Sequence, residues 1–213
     1  MLIDSHCHLD FPELATDESG VLARARTAGI AGLLTIGTRL DQFERVRAIA
    51  ERHGNVWCSV GVHPHEAKEE GQSEPARLIE AARHPKVIGI GETGLDFFYE
   101  HSPREEQAES FRTHIVAARE AGLPLIVHTR DADQETGDIL EDEYRKGAFP
   151  GLIHCFSSGP EIARRALADP THDERHDLRR DEPDLGFRQP EARILVQHDD
   201  VAAAGHAEAA ADR

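Results

Sequence analysis

Apolar and polar positions come in alternating blocks along this chain. Short runs rich in Val, Ile and Leu end in polar or ionisable residues, and longer stretches between them repeat apolar residues every three or four places. The first pattern predicts strands and the second amphipathic helices. Strands are predicted over 2–6, 32–38, 56–62, 87–92, 123–128 and 151–156. Helices are predicted over about 17–28, with Glu18 and Ser19 in the first turn and Gly29 closing it, and over about 41–53, with Phe43, Val46 and Ile49 on one face and Gly54 as stop. Two more fall near 75–83 and over about 103–121, the latter closed by Gly122. Six βα units in series need crossover connections, which join parallel strands. The fold class is therefore α/β in a single domain, either a (β/α) barrel or an open doubly wound sheet.

After about Ala168 the pattern stops. Residues 169–213 contain no lysine and one β-branched-rich run, Ile194-Leu195-Val196, among Asp, Arg, His, Ala and Pro. Such a segment buries too little apolar surface to offset its ordering entropy, so it is expected to be disordered or poorly packed. The alternative is a surface helix over the alanine-rich 201–211.

Composition adds boundaries. With 39% hydrophobic and 30% charged residues the chain falls among soluble globular proteins. No apolar stretch approaches the roughly 20 residues that cross a bilayer, and the N-terminus lacks signal-peptide features, so a cytoplasmic protein is expected. The net charge of −16 argues against a broad polyanion-binding face while leaving room for a local phosphate site. Cys7, Cys58 and Cys155 form no CxxC pair, which argues against a disulfide framework or thiolate cage and makes them expected core residues.

The 14 histidines matter through their placement. His6 and His8, two apart on a strand, project to one face. Glu92, His128 and His154 each close a further apolar run. In α/β barrels the carboxyl ends of several strands build one site, so these five side chains converge on one rim. Imidazole and carboxylate together suit zinc, manganese, iron or nickel, and Glu92 could bridge two ions. His63 and His65 end the third strand on the same rim, as substrate-phosphate contacts or as loop residues. Arg130 is either a phosphate contact or an ion-pair partner of Asp131 or Asp133. Asp96 is expected to make a structural hydrogen bond in the Glu92–Asp96 turn. Gly89-x-Gly91 is not a dinucleotide fingerprint, and no GxSxG elbow appears. Cys155 is expected inside a strand, facing away from His154, which sets aside a cysteine nucleophile.

Leu2-Ile3-Asp4-Ser5-His6-Cys7-His8-Leu9-Asp10, Gly91-Glu92-Thr93-Gly94-Leu95-Asp96-Phe97, Pro124-Leu125-Ile126-Val127-His128-Thr129-Arg130-Asp131-Ala132 and Gly151-Leu152-Ile153-His154-Cys155-Phe156-Ser157-Ser158-Gly159 closely resemble the successive signatures of the TatD family of metal-dependent hydrolases. The resemblance covers residues 1 to about 168. It implies a TIM-type (β/α) barrel of the metal-dependent hydrolase superfamily, here with six recognisable units, acting as a deoxyribonuclease on DNA ends. It also implies two divalent ions (Mg, Mn or Zn) held by His6, His8, Glu92, His128 and His154. From their places on the rim, Glu92, His128 and His154 are expected to be catalytic, with His63 and Arg130 on substrate. DNA is the expected partner, with no membrane and no obligate protein partner.

The family pattern continues through two more strands to a Glu-Thr-Asp motif whose aspartate helps activate water. This sequence departs from it at Asp169, and only residues 193–199 echo the eighth strand, with Asp199 in the aspartate's place. An out-of-frame C-terminal segment would explain the departure, and would leave the hydrolase weakened or inactive. The alternatives are a small-molecule ester or amide hydrolase of the amidohydrolase kind, and a non-catalytic truncated or frameshifted fragment.

Overall fold

The computed structural model describes residues 2–71, 74–167 and 194–196. Its strands are β1 (Leu2–Cys7), β2 (Ile30–Thr35), β3 (Val56–Val60), β4 (Val87–Asp96), β5 (Leu125–Arg130), β6 (Gly151–Ile153) and β7 (Ile194–Val196). The helices are α1 (Pro12–Ala15), α2 (Glu18–Thr27), α3 (Phe43–Arg52), α4 (Ala67–Glu70), α5 (Pro75–Ala82), α6 (Arg104–Ala121), α7 (Asp133–Lys146) and α8 (Pro160–Leu167). The strands form one sheet in sequence order, with every neighbouring pair parallel.

A doubly wound sheet reverses its strand order at a switch point; this sheet does not, and it curls. His6 in β1 and His154 just past β6 have ring centroids 3.9 Å apart. Across a flat sheet, five strand spacings would separate them by about 24 Å. The architecture is thus the wall of a TIM-type (β/α) barrel.

Local chemistry accounts for the helices. Asp17 caps α2 by accepting the Gly20 N–H at 3.2 Å. Helix α3 buries the predicted stripe of Phe43, Val46 and Ile49 together with Ala50. Helix α6 ends where Gly122 takes a left-handed φ of 65°. Between sheet and helices lies the core, in which Leu33, Val56, Val60, Ile90, Leu125, Val127 and Ile153 of the strands meet Phe111 and Ile115 of α6.

Several expected boundaries move. Strand β4 runs past Glu92 to Asp96, because the ladder shifts register between Ile90 and Thr93 and then pairs Thr93–Asp96 with Val127–Arg130. Gly94 sits at that crossing with φ 139°, and a Cβ there would lie 2.0 Å from the His128 carbonyl oxygen. Strand β6 stops at Ile153, so Cys155 lies outside it, exposed and with φ 45°. The expectation of three core cysteines holds for Cys58 alone, since Cys7 is only partly buried. Helix α7 was not predicted because its core-facing stripe mixes Ile139 and Leu140 with Thr136, Gly137 and Glu143. Of residues 169–213 only β7 is described, paired with β6 from Gly151↔Ile194 to Ile153↔Val196. The other expectations for that segment, Asp199 and the helix over 201–211 included, lie outside the described residues. No helix of the described residues is long and apolar enough to cross a membrane.

His114 of α6 ties the helix layer to the end of β3. Its Nε2 accepts the Val62 N–H at 2.9 Å, and its Nδ1 lies 2.7 Å from the Ser110 carbonyl oxygen. Burial lowers its pKa from 6.5 to about 4, against the opposing pull of the Ser110 contact. Between those values the unfolded chain binds the proton and the native state does not, so stability rises with pH across that window. Acidification through it is expected to cost about 3 kcal/mol through this residue. His114→Gln should flatten that part of a series of urea unfolding curves measured against pH; an unchanged slope would refute the assignment.

Candidate metal centre

The carboxyl ends of β1, β3, β4, β5 and β6 bring their polar side chains together, as the rim argument requires. Glu92, only 3% exposed, stands at the middle. Its Oε2 lies 3.3 Å from His6 Nε2. Its Oε1 lies 3.1 Å from His128 Nδ1 and 3.6 Å from His63 Nε2, and makes a short contact with His154 Nε2. His8 lies on the same side of the first strand, its ring 5.2 Å from that of His6. All five residues expected as metal ligands are therefore gathered here. His63, expected as a substrate contact, is gathered with them.

Burial alone would push the Glu92 carboxyl up; the contacts from His128, His154 and His6 outweigh it and hold the group well below the usual glutamate range. Burial lowers His8, and lowers His63 to about 3, leaving both imidazoles neutral near pH 7 with lone pairs available. For His128 burial is outweighed by Glu92 and Asp96, which raise it.

Two sets of donor atoms converge: His6, His8 and Glu92 form one, and His63, Glu92 and His128 the other, with all donor atoms in each set within 4.8 Å of one another. Glu92 belongs to both. The buried Nδ1 atoms of His6 and His8 have no hydrogen-bond partner. A buried imidazole nitrogen without a partner is costly, and a cation among these donors would remove that cost. Neutral imidazoles around a buried carboxylate are the donor set that borderline divalent ions take, so the residues fit a metal centre.

Asp96 does more than the structural turn expected of it. Its Oδ1 accepts the Phe98 and Tyr99 N–H groups at 3.0 and 2.9 Å. Its Oδ2 lies 2.9 Å from His65 Nε2 and 3.1 Å from His128 Nε2. This carboxylate orients His128 from the side opposite Glu92, the kind of outer support that fixes ligand geometry. The second histidine of the β3 loop, His65, thus reaches Asp96 and not Glu92. Arg130 makes neither of its anticipated ion pairs among the described residues. Its guanidinium lies instead over the rings of Phe98 and Tyr99, 4.1 and 4.8 Å from their centroids. Next to His128 and His154 opens a cavity of about 790 Å³, also lined by Arg130, Asp131, Asp133, Ser157 and Ser158.

Residues 3–172 match the family model described as TatD related DNase. Among curated proteins, the chain is 34% identical over 167 residues to the metal-dependent hydrolase YabD of Bacillus subtilis, covering 78% of this chain and 65% of that protein. It is 34% identical over 168 residues to the 3'-5' ssDNA/RNA exonuclease TatD of Shigella flexneri, covering 78% and 64%. Among solved structures, the TatD homologue YJJV of Escherichia coli superposes with a TM-score of 0.69 at 30% identity, over 77% of this chain and 63% of that one. A TatD-family hydrolase of Entamoeba histolytica, 23% identical with a TM-score of 0.66, shares the fold. The chain spans just under two thirds of the length of these relatives.

Proposed function

The chain belongs to the TatD-related DNase family, and from that premise we propose that it hydrolyses phosphodiester bonds of nucleic acid, at strand ends, with two divalent cations of the Mg, Mn or Zn class. The observation that carries this reading is the single buried carboxylate, Glu92, shared by two converging sets of donors. Bound there, the cations would neutralise charge on the phosphate and make a water molecule acidic enough to attack near neutral pH.

In this reading, Glu92, His128 and His154 form the catalytic group. Glu92 stays ionised and joins the two halves of the site. His6 and His8 hold one half, and His63 and His128 the other. His154, stacked on His6 and lining the cavity, borders the space a substrate would enter. Asp96 keeps the His128 ring turned toward Glu92. Arg130 lies at the cavity mouth with its guanidinium available to a phosphate. His63 is assigned to the metal side rather than to substrate because its Nε2 faces the Glu92 carboxylate.

A protein that binds cations only when folded is stabilised by them, by about 2.7 kcal/mol at a hundredfold excess over Kd. For a domain of this size that corresponds to an upward shift of roughly 5–10 °C in Tm. Thermal unfolding with manganese, magnesium or zinc should show it. In His128→Ala the same shift should need at least about tenfold more metal. Absence of a shift with all three ions would overturn the reading and favour a non-catalytic fragment.

One observation favours a second reading. The cavity is also lined by Asp131, Asp133 and Glu135, on a chain of net charge −16, and both features oppose a polyanion. Hydrolysis of a neutral ester or amide without turnover of an oligonucleotide would support a small-molecule hydrolase instead.

A further inference from the structure

Beside the metal centre two large aromatic side chains stand in water. Phe98 is 56% exposed and Tyr99 49%, adjacent to each other in the turn that follows β4. That turn is held by the same Asp96 carboxylate that faces His65 and His128. The backbone carrying the rings is therefore tied to the centre.

The rings are also held against their neighbours. Phe98 and Tyr99 meet edge to face at 4.7 Å and 87°, and the Arg130 guanidinium covers part of both. Tyr99 lies parallel to His101 at 5.6 Å and perpendicular to His65 at 5.5 Å. Side chains locked in this way lose little rotamer freedom when something docks on them. Arg130 itself is exposed and has no acidic partner among the described ion pairs. The surface thus combines two rings that are each about half exposed, one cation without an acidic partner among the described ion pairs, and a link to His128 through the Asp96 carboxylate, which accepts the Phe98 and Tyr99 N–H groups and lies 3.1 Å from His128 Nε2.

We propose that Phe98, Tyr99 and Arg130 form a stacking platform for an unpaired nucleobase, with the Arg130 guanidinium taking the phosphate attached to it. This rests on the phosphodiesterase reading above and names the feature of the substrate that this chain reads. Stacking on an aromatic face tolerates any base, because every base has a π face. It also requires that face to be free. A base inside a duplex has both faces covered by its neighbours, so the platform selects single-stranded ends, and a paired end must fray to use it. A cation beside the rings suits this occupant, since each base brings a phosphate with it.

The test uses the metal-loaded protein and short single-stranded oligonucleotides in which one abasic residue, or one fluorescent 2-aminopurine, is placed in turn at each of the terminal positions. The wild-type protein should prefer the base-bearing strand over the abasic one, in kcat/KM, by about 5- to 150-fold at one position. At that position 2-aminopurine fluorescence should drop on mixing, before turnover. In the Phe98→Ala/Tyr99→Ala double variant both the preference and the fluorescence change should vanish. Hydrolysis of the abasic strand and the metal-induced Tm shift should stay as in wild type. Arg130→Gln should weaken both strands equally and flatten the salt dependence. If wild type hydrolyses base-bearing and abasic strands alike at every position, the platform is overturned and the phosphodiesterase reading survives. The same holds if the double variant loses both strands equally. If metal-loaded wild type hydrolyses neither strand, both readings fall.

Discussion

Glu92→Gln is expected to lower hydrolysis by a factor of about 10³ and to weaken divalent-metal binding at least tenfold. The substitution conserves shape and removes only a negative charge and an acceptor, so packing around a residue that is 3% exposed should be kept. What it removes is the one group common to both donor sets. Loss of an outlying ligand would leave one set complete; loss of Glu92 leaves each with imidazoles alone, and neutral nitrogens attract a dication less than a carboxylate does. The charge also acts without metal. Because the folded-state pKa of Glu92 is held below its ordinary value of 4.5, its contribution to stability is present above that value and lost as pH falls through the depressed one. Calorimetric metal titration and an oligonucleotide assay on the variant test this together. Wild-type metal stoichiometry with a rate within tenfold of wild type would show that Glu92 is not the shared ligand.

The largest expected effect on stability comes from a methyl group. Gly94→Ala places a Cβ 2.0 Å from the His128 carbonyl oxygen at a φ of 139°, where L side chains are strained whatever the space around them. The neighbouring atom is backbone in the β4–β5 ladder, where Gly94 pairs with His128 itself, so relief means moving the strand that carries His128. A cost of about 3 kcal/mol or more is expected, with Tm lower by roughly 10 °C. Metal affinity should fall along with stability, because the displaced atom belongs to the His128 backbone. By contrast Gly54→Ala, where the new Cβ meets nothing within 4 Å, should change Tm by no more than a degree or two. Equal thermal unfolding of the two variants would contradict the crowding described here.

How much of this was legible in the sequence depended on whether periodicity could carry it. His6, Glu92, His128 and His154 were recoverable because each closes an apolar run, and the barrel rule then places such closing residues on one rim. His63 and His65 were not separable in the same way. Both follow β3 in Val62-His63-Pro64-His65, and only the short 3₁₀ turn Pro64–Glu66 decides that His63 faces Glu92 while His65 reaches Asp96. Phe98 and Tyr99 carry no periodic signal of their own, and nothing in the pattern says that Asp96 accepts their N–H groups and holds the turn beside the site. The surroundings of Arg130 depend on tertiary pairing. The Phe97 N–H donates to the Arg130 carbonyl across the β4–β5 ladder, which sets the guanidinium beside rings more than thirty positions earlier in the chain. Strand β4 runs four residues past its expected end at Glu92, where the register shifts between Ile90 and Thr93 beside the crowded Gly91 and Gly94, an effect that composition does not announce.

The stacking of His6 against His154 also bears on how the protein is made. The two rings are among the earliest and latest parts of the centre to leave the ribosome, separated by 148 residues. At ordinary synthesis rates of about 5–20 residues per second, His6 waits roughly 7–30 s for its neighbour. During that interval His8, His63, Glu92 and His128 are also made, so the chain carries a partial nest with no His154 to close it. If the proposed ions bind, an ion captured before His154 is made need not be the one that the finished site retains. Protein made by cell-free translation with one metal and then transferred to another would reveal whether the ion acquired during synthesis is still the one that stays.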